Sequence, residues 1–323
     1  MCTSLTLPTP DGRHLFGRTL DLDDHFGESV TFTPRRYPFA FNDCYPHTQH
    51  YALLGMATVA DSSAASGYPL YAEAMNEKGL CMAGLRFAKN AAYAPVPRTG
   101  FLNLAPWELI PYLLGTCATV AEARAALRDI CIVDKPFSDV VGTAPLHWHI
   151  ADADPTHGGL ILETTAEGMR IYDDSPDGAG VLANAPPYPD QLIALGDCYV
   201  PWGDMPGLPG DYSSISRFIR AATLRRWWME QMARGEVSDA GKDYEDCAVA
   251  EFFRMLGAVS PPQGAIRTPE GRYQRTLYTC CMDTSAGVYH YTTGGNMRAR
   301  TVAFVGLDLN GEKVLLLTDF SEK

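Results

Sequence analysis

The second residue of the chain, Cys2, carries the most specific chemistry in the sequence. Because it follows Met1, removal of the initiator methionine would leave one residue with both a thiol and an α-amine. A free α-amine has a pKa of about 7.7–8, so it can take up the thiol proton near neutral pH and leave a thiolate that attacks a carbonyl carbon. The sequence therefore predicts an N-terminal cysteine nucleophile, provided that Met1 is removed.

Other catalytic motifs are missing from the sequence or incomplete. No Gly-x-Ser-x-Gly elbow occurs, and the segment from Gly235 to Asp243 imitates a phosphate-binding loop with the wrong spacing and with Asp where Ser or Thr must bind magnesium. His147 and His149 would share one face of a strand, but no third ligand lies at a suitable spacing. We predict neither a nucleotide hydrolase nor a metal site.

The composition is that of an acidic globular protein. The 323 residues have a net charge of -12, which argues against a nucleic-acid partner, and 46% of them are hydrophobic, which excludes a disordered chain. The nine cysteines form an odd set without paired CxxC motifs, and the sequence has neither a signal peptide pattern nor a run of about 18 apolar residues. We expect a cytoplasmic protein with no membrane segment.

The elements that must position Cys2 are predicted from the spacing of apolar residues. Strands at 4–7 and 14–18, joined by a Pro- and Gly-containing turn, form a hairpin with Cys2 at a strand end. Further strands are predicted at 30–34, 51–55, 147–150, 159–163, 169–172, 180–183, 276–281, 287–292, 301–305 and 313–317, helices at about 103–116, 120–129, 214–234 and 244–256, and a loop at 190–211. Runs of strands followed by runs of helices predict a layered α+β fold with two mainly antiparallel sheets. We expect residues 1–323 to form a single domain.

Four short blocks of sequence carry a family resemblance. They are Met1-Cys2-Thr3, Phe16-Gly17-Arg18-Thr19-Leu20-Asp21, Met75-Asn76-Glu77-Lys78-Gly79-Leu80, and Gly207-Leu208-Pro209-Gly210-Asp211 with Ser216-Arg217-Phe218. In these blocks and their order the chain resembles the choloylglycine hydrolase family of N-terminal nucleophile hydrolases, from Cys2 to about Val305. The phrases Pro145-Leu146-His147-Trp148, Tyr278-Thr279-Cys280-Cys281 and Tyr289-His290-Tyr291-Thr292-Thr293 look more like the bile salt hydrolase branch than the penicillin V acylase branch.

The resemblance implies a fold and an activity. The fold would be a four-layer αββα sandwich, and the protein would be an amidohydrolase that needs no cofactor. Its substrate would be a small-molecule N-acyl amide, first of all a bile acid conjugated with glycine or taurine. Penicillin V or another N-acyl amide is the alternative within the family, and a non-catalytic relative that retains Met1 is the alternative outside it.

The resemblance also implies roles for individual residues. Cys2 would be the nucleophile, Arg18 would favour its thiolate, and Asp21 would orient the α-amine. Asn184 would donate to the oxyanion through its side-chain amide, and Arg217 would support the thiol and Asp21.

The substrate pocket is implied less directly. The second oxyanion donor would be the backbone N–H of Arg86, where bile salt hydrolases usually have Asn, and the Arg86 side chain could pair with the anionic end of a conjugate, narrow the pocket or fold outward. Apolar positions that match the pocket are Leu20, Phe26, Ala72, Phe137 and Val141. The loop between Asn184 and Gly207 looks shorter than in typical members by about a β-hairpin. That loop helps to assemble tetramers in the family, so we expect a homo-oligomer whose size the sequence leaves open.

Overall fold

The structure, a computed structural model, describes residues 1–41, 48–62, 65–198, 207–237 and 244–318. Cys44, residues 199–206 of the short loop and residues 238–243 of the segment that imitates a phosphate-binding loop lie outside these ranges.

Two large sheets form the body of the protein. The strands are β1 (Cys2–Pro8), β2 (His14–Leu22), β3 (Glu28–Thr33), β4 (Leu53–Ser62), β5 (Ala65–Asn76), β6 (Cys81–Arg86), β7 (Leu102–Leu104), β8 (Ile130–Ile132), β9 (Leu146–Ala151), β10 (Gly159–Thr165), β11 (Gly168–Asp174), β12 (Val181–Ala183), β13 (Ile266–Arg267), β14 (Tyr273–Asp283), β15 (Val288–Thr293), β16 (Asn296–Ala303) and β17 (Leu315–Leu316). Sheet I has the order β12-β1-β2-β14-β15-β16, with β13 beside β14, and sheet II has the order β11-β10-β9-β6-β5-β4-β3-β17. Every pairing described within these two sheets is antiparallel, as the sequence predicts, while β7 and β8 form a small parallel pair.

Helices cover the outer faces of both sheets. They are α1 (Leu109–Thr116), α2 (Val120–Ala126), α3 (Tyr188–Asp197), α4 (Ser214–Ala233) and α5 (Tyr244–Gly257), with 3-10 turns at Pro106–Glu108, Leu127–Asp129 and Pro155–His157. Helices α4 and α5 pack on sheet I, and α1 and α2 pack on sheet II. The order of layers is helix, sheet, sheet, helix, so the predicted αββα sandwich is confirmed.

Strand β1 lies at the centre of this arrangement. All seven of its residues are buried, because one face is turned to sheet II and the other to α4. The side chains therefore do not follow the half-buried alternation of a surface strand. Such a position excludes water from both sides of the strand that carries Cys2.

Two predictions of local structure are wrong in part. The loop predicted at 190–211 begins with helix α3, where Pro187 is the N-cap and Pro189 lies in the first turn; proline is compatible with a helix there because the first N–H groups have no intrahelical partner. The helix predicted at 103–116 begins only at Leu109, because residues 102–104 form β7 and a 3-10 turn follows. The long helices α4 and α5 are confirmed within two residues of their predicted ends.

Candidate active site

The β1–β2 hairpin places Cys2 and Arg18 on the same face of sheet I. Cys2 lies opposite Leu20, and Ser4 lies opposite Arg18. Residues opposite each other and residues two apart along a strand share a face, so all four side chains point the same way. That face is turned to sheet II, since the Ser4 hydroxyl contacts Nδ1 of His149 on β9 at 2.9 Å. The thiol and the guanidinium therefore share the space between the sheets.

Backbone carbonyls hold the guanidinium of Arg18. Its Nη1 donates to the carbonyl oxygen of Gly84 at 2.8 Å and to that of Ala72 at 3.4 Å, and its Nε donates to the carbonyl of Thr19 at 3.0 Å. The side chain is only 1% exposed. Arg18 is thus anchored to strands of both sheets.

The charge of Arg18 is permanent. Burial is the largest influence and opposes the charge, but attraction to neighbouring acidic groups, the largest of them to Cys2, outweighs it and raises the pKa of Arg18 above its ordinary value. A fixed cation beside a thiol favours the thiolate. The geometry therefore agrees with the role that the resemblance implies for Arg18.

Asn184 connects three parts of the site. It follows β12, whose Ala183 lies opposite Thr3 on β1. Its Oδ1 accepts from the backbone N–H of Cys2 at 2.7 Å and from Nη2 of Arg217 at 2.9 Å. Its Nδ2 donates to the carbonyl of Arg86 at 2.8 Å. An amide nitrogen carries two hydrogens, so one N–H remains for an oxyanion.

The backbone of Arg86 faces the same space as Asn184. Phe87 N–H donates to the carbonyl of Pro145 on one side of the strand, and Arg86 lies opposite Leu146. Neighbouring residues of a strand direct their N–H and C=O groups to opposite edges of the strand. Phe87 bonds to the β9 side, so the backbone groups of Arg86 point to the edge away from β9. Since the C=O of Arg86 accepts from Asn184, its N–H is directed to that side as well, while its side chain is exposed.

Arg217 approaches from helix α4. The helix begins at Ser214 and is capped by the hydroxyl of Ser213, which accepts from Ser216 N–H at 3.2 Å. One turn in, Nη1 of Arg217 donates to the carbonyl of Cys2 and to the hydroxyl of Thr3. Burial lowers the pKa of Arg217. Arg217 thus fixes the backbone of Cys2 and the side chain of Asn184 together.

Asp21, the residue after Leu20 on β2, is fully buried. Its Oδ1 accepts from the Thr276 hydroxyl at 2.7 Å and its Oδ2 from the Thr19 hydroxyl at 3.4 Å, while its backbone N–H donates to the carbonyl of Met1 at 2.8 Å. The amine of Met1 donates to the backbone carbonyl of Asp21, and burial lowers the pKa of that amine. With Met1 in place the nitrogen of Cys2 is an amide, so the implied contact between the Asp21 carboxylate and the amine of Cys2 belongs to the chain without Met1.

The five apolar pocket candidates do not lie in one place. Leu20, which lies opposite Cys2, belongs to the hydrophobic cluster that contains Cys2, and Phe26 and Ala72 pack against that cluster. Phe137 packs instead on Trp107, with ring centres 5.0 Å apart, in the separate cluster beneath α1. Val141 is 44% exposed.

The two candidate metal ligands have other partners. Nδ1 of His147 lies 3.1 Å from the Glu163 carboxylate, and Nδ1 of His149 contacts Ser4. In the part of the chain that the structure describes, no three His, Cys, Asp or Glu side chains form a group that could hold a metal ion.

Sequence reasoning missed Thr3, Thr276 and Glu73. The two threonines contact Arg217 and Asp21, and Glu73 lies beside Arg18. A signal for Glu73 exists in the sequence, because a carboxylate in the apolar stretch Tyr71-Ala72-Glu73-Ala74-Met75 must be paired if the strand is buried on both faces.

Comparisons with known proteins agree with this geometry. The bile salt hydrolase/transferase of Lactiplantibacillus plantarum is 34% identical over 323 residues, which cover 94% of this chain and 92% of that protein. A crystallised variant of the conjugated bile acid hydrolase from Clostridium perfringens superposes with a TM-score of 0.85 at 31% identity and covers 98% of this chain and 97% of its own. The penicillin V acylase of Agrobacterium tumefaciens shares the fold, with a TM-score of 0.73, 22% identity and coverage of 97% of this chain and 90% of its own.

The class and the family follow from these matches. Residues 2–317 match the model of the linear amide C–N hydrolases, choloylglycine hydrolase family, so the class is that of enzymes which hydrolyse linear amides. The chain belongs to the choloylglycine hydrolase family. No helix among the described residues is long and apolar enough to cross a membrane.

Proposed function

We propose that this protein hydrolyses the amide bond of bile acids conjugated with glycine or taurine, with Cys2 as the nucleophile. One observation carries the catalytic part of the proposal: Asn184 joins the nitrogen of Cys2, the guanidinium of Arg217 and the carbonyl of Arg86 by hydrogen bonds of 2.7–2.9 Å. The bile acid part is supported by the activities for which the relatives from L. plantarum and C. perfringens are named.

The reaction begins after Met1 has been removed. The α-amine of Cys2, oriented by Asp21, takes the thiol proton, and the thiolate, stabilised by Arg18, attacks the amide carbonyl carbon. A carbon–sulfur bond forms, and the carbonyl oxygen becomes an oxyanion that the free N–H of Asn184 and the backbone N–H of Arg86 stabilise. The protonated α-amine then gives its proton to the leaving nitrogen as the carbon–nitrogen bond breaks.

Water completes the cycle. The acyl group remains on Cys2 as a thioester, and the α-amine, again neutral, takes a proton from the attacking water. Collapse of the second tetrahedral intermediate releases the carboxylic acid and returns the sulfur as a thiol. Arg217 holds the carbonyl of Cys2 and the side chain of Asn184 in place throughout.

The exposed side chain of Arg86 gives the substrate preference a physical basis. Glycine and taurine conjugates end in a carboxylate or a sulfonate on the leaving group, and a guanidinium binds such anions with two parallel hydrogen bonds. In this proposal the backbone N–H of Arg86 faces the scissile carbonyl, and its exposed side chain would pair with the anionic end of the leaving group.

A direct comparison of rates tests the function. We expect turnover of taurocholate and glycocholate to exceed that of penicillin V, each measured as kcat/KM on the Met1-free chain. A faster reaction with penicillin V would overturn the bile acid assignment and favour an acylase. Intact-mass spectrometry before the assay identifies a non-catalytic chain that retains Met1, because such a chain lacks the free amine on Cys2.

Two properties accompany this proposal. A cytoplasmic location is supported by the free state of all eight cysteines that the structure describes, as a reducing compartment would maintain it. A homo-oligomer follows from the resemblance alone, and light scattering after size-exclusion chromatography gives the number of subunits.

A further inference from the structure

A carboxylate that the proposed reaction does not use lies between the sheets. Glu73 on β5 is 0% exposed. Its Oε2 accepts from the hydroxyl of Tyr278 at 2.7 Å, its Oε1 accepts from the hydroxyl of Tyr289 at 2.8 Å, and its Oε2 lies 3.6 Å from Nη1 of Arg18. We name Glu73, Tyr278, Tyr289 and Arg18 the inter-sheet polar cluster.

The cluster joins the two sheets inside an apolar core. Glu73 belongs to sheet II, while Arg18, Tyr278 and Tyr289 belong to three strands of sheet I. Burial of a carboxylate or a guanidinium costs several kcal/mol unless each is paired and hydrogen-bonded. A buried ion pair is therefore weak evidence of a contribution to stability, and its position on the strand face that also carries Cys2 points to a role in the site.

One guanidinium nitrogen of Arg18, Nη2, makes no hydrogen bond within the cluster. Nη1 lies near Glu73 and donates to two carbonyls, and Nε donates to a third. Nη2 is buried and, within the described residues, has no hydrogen-bond partner. Of the attractions that raise the pKa of Arg18, the one to Cys2 is the largest. The guanidinium is thus held at Nη1 and Nε and has donors left for an anion at Nη2.

We propose that Glu73 is a positioning residue for the reaction: tethered by Tyr278 and Tyr289, it holds Arg18 so that the free nitrogen of the guanidinium serves the thiolate of Cys2. The inference rests on the proposed function only in that Cys2 is the nucleophile.

The protonation of the two tyrosines is consistent with this role. Burial raises the pKa of both tyrosines far above the ordinary value, so their hydroxyls stay protonated and donate to Glu73. Burial also raises the pKa of Glu73, against the attraction of Arg18 and the hydrogen bonds from Tyr278, Tyr289 and Cys280. If Glu73 is replaced by a neutral residue, the buried guanidinium loses its ion pair, and we expect it to leave the position beside Cys2.

A double-mutant cycle tests the proposal on the Met1-free chain. Glu73→Gln keeps the size of the side chain and removes its charge, and Arg18→Met removes the guanidinium. We expect Glu73→Gln to lower kcat by about tenfold or more, with KM nearly unchanged, when Arg18 is present, because small displacements of catalytic groups have effects of this size. In the Arg18→Met background the same change is expected to have little further effect, since residues that act through one another are not additive.

The second readout needs no substrate. The pH dependence of Cys2 alkylation, followed by peptide mass spectrometry, gives the midpoint of thiol ionisation. We expect Glu73→Gln to raise this midpoint in the same direction as Arg18→Met does. Because alkylation does not depend on the substrate, a protein without bile acid hydrolase activity would refute the proposed function and still test the role of Glu73.

Several outcomes would overturn the inference. Equal losses of kcat in both backgrounds, an unchanged midpoint, or a midpoint that falls would each show that Glu73 does not position Arg18. The control is Glu163→Gln, which changes an equally buried carboxylate bonded to His147 and to the N–H of Tyr188; its midpoint is expected to match that of the unmodified chain. If Glu73→Gln fails to fold, Tyr289→Phe, which removes one tether and keeps the carboxylate, must show the same pattern with a smaller amplitude.

Discussion

The floor and the mouth of the proposed active site are built in different ways. The floor consists of Cys2, Arg18, Asp21 and Arg217, each at most 5% exposed and each on a paired strand or a long helix. We assign to the mouth the proposed substrate contacts that lie at a strand end or on a connecting segment, namely the exposed Arg86 and Val141. On this proposal, the register of the two sheets positions the groups that do the chemistry, while exposed side chains outside the buried strands influence the choice of substrate.

This difference has an energetic side. Charges on the floor are surrounded by protein, where interactions are strong and the loss of one partner is costly. Charges at the mouth are exposed to water, which weakens their interactions. Substitutions on the floor should therefore change kcat by large factors, and those at the mouth should change KM by small ones.

The largest effect is expected for Cys2→Ala. Removal of the nucleophile should lower kcat by a factor on the order of 10⁶, because the thioester cannot form. The melting temperature should change little, since the substitution removes one buried sulfur. The exposed Cys247 provides the control, and Cys247→Ala should keep full activity. Substantial turnover by Cys2→Ala would show that another group attacks the amide.

The next effect is expected for Asn184→Ala. Loss of one oxyanion donor typically lowers kcat by about 10²–10³. Steady-state kinetics with a taurine conjugate measures the loss, and Asn184→Asp, which keeps the acceptor for Cys2 and Arg217 but not the donor, separates the two functions of the side chain. If Asn184→Asp retained full kcat, the donor role of Asn184 would be excluded.

Low pH should reduce the free energy of unfolding, because two buried histidines resist protonation. Burial lowers the pKa of His149 to about 3 and that of His14 to about 4, from an ordinary value of 6.5. Between these values and pH 6.5 the unfolded chain binds more protons than the folded one, so stability is complete above about pH 6.5 and is lost as the pH falls toward 4 and 3. Urea denaturation at a series of pH values measures this loss. In His149→Gln the loss over this range should be smaller, and an identical pH dependence would contradict the assignment to His149.

The smallest effect is expected at the mouth. Arg86→Asn should raise KM for taurine and glycine conjugates by about two- to fivefold, because an exposed ion pair contributes about 0.2–1 kcal/mol, and kcat should change little. Arg298→Asn, on the exposed edge strand β16, is the matched control for loss of a surface charge. If both variants handle the conjugates equally well, the Arg86 side chain is not a recognition element. A large fall in kcat would break the distinction between floor and mouth.

The residue pattern alone predicts only the local part of the proposed site. Cys2 is indicated by its position after Met1, and the alternation of residues predicts the hairpin that carries it, while the roles of Arg18 and Asp21 on the adjacent strand come from the family resemblance. Asn184 and Arg217 are different, because each is one polar residue in an ordinary context and reaches Cys2 only through long-range pairing. The family resemblance indicated these two, and the residue pattern did not.

What the sequence did not predict also has physical reasons. Helix α3 was missed because prolines at 186, 187 and 189 indicate a loop, although the later two are compatible with a helix start. Glu73 is not predicted because the two tyrosines that donate to it, Tyr278 and Tyr289, are separated from it by 205 and 216 residues. No local sequence pattern predicts that a tyrosine of another sheet will donate a hydrogen bond to a given carboxylate.

The pairing of β1 and β2 with strands that are distant in sequence affects the order of folding during synthesis. Thr276, which holds Asp21, is 255 residues further along the chain, and Arg217 is 215 residues from Cys2. During synthesis the ribosome delivers these partners long after the N-terminus has emerged, and contacts of such high sequence separation form slowly. If Met1 is removed during synthesis, this interval would leave the Met1–Cys2 bond accessible to an aminopeptidase before the layers close over it. The late arrival of the C-terminal strands would then favour processing over premature burial of the N-terminus.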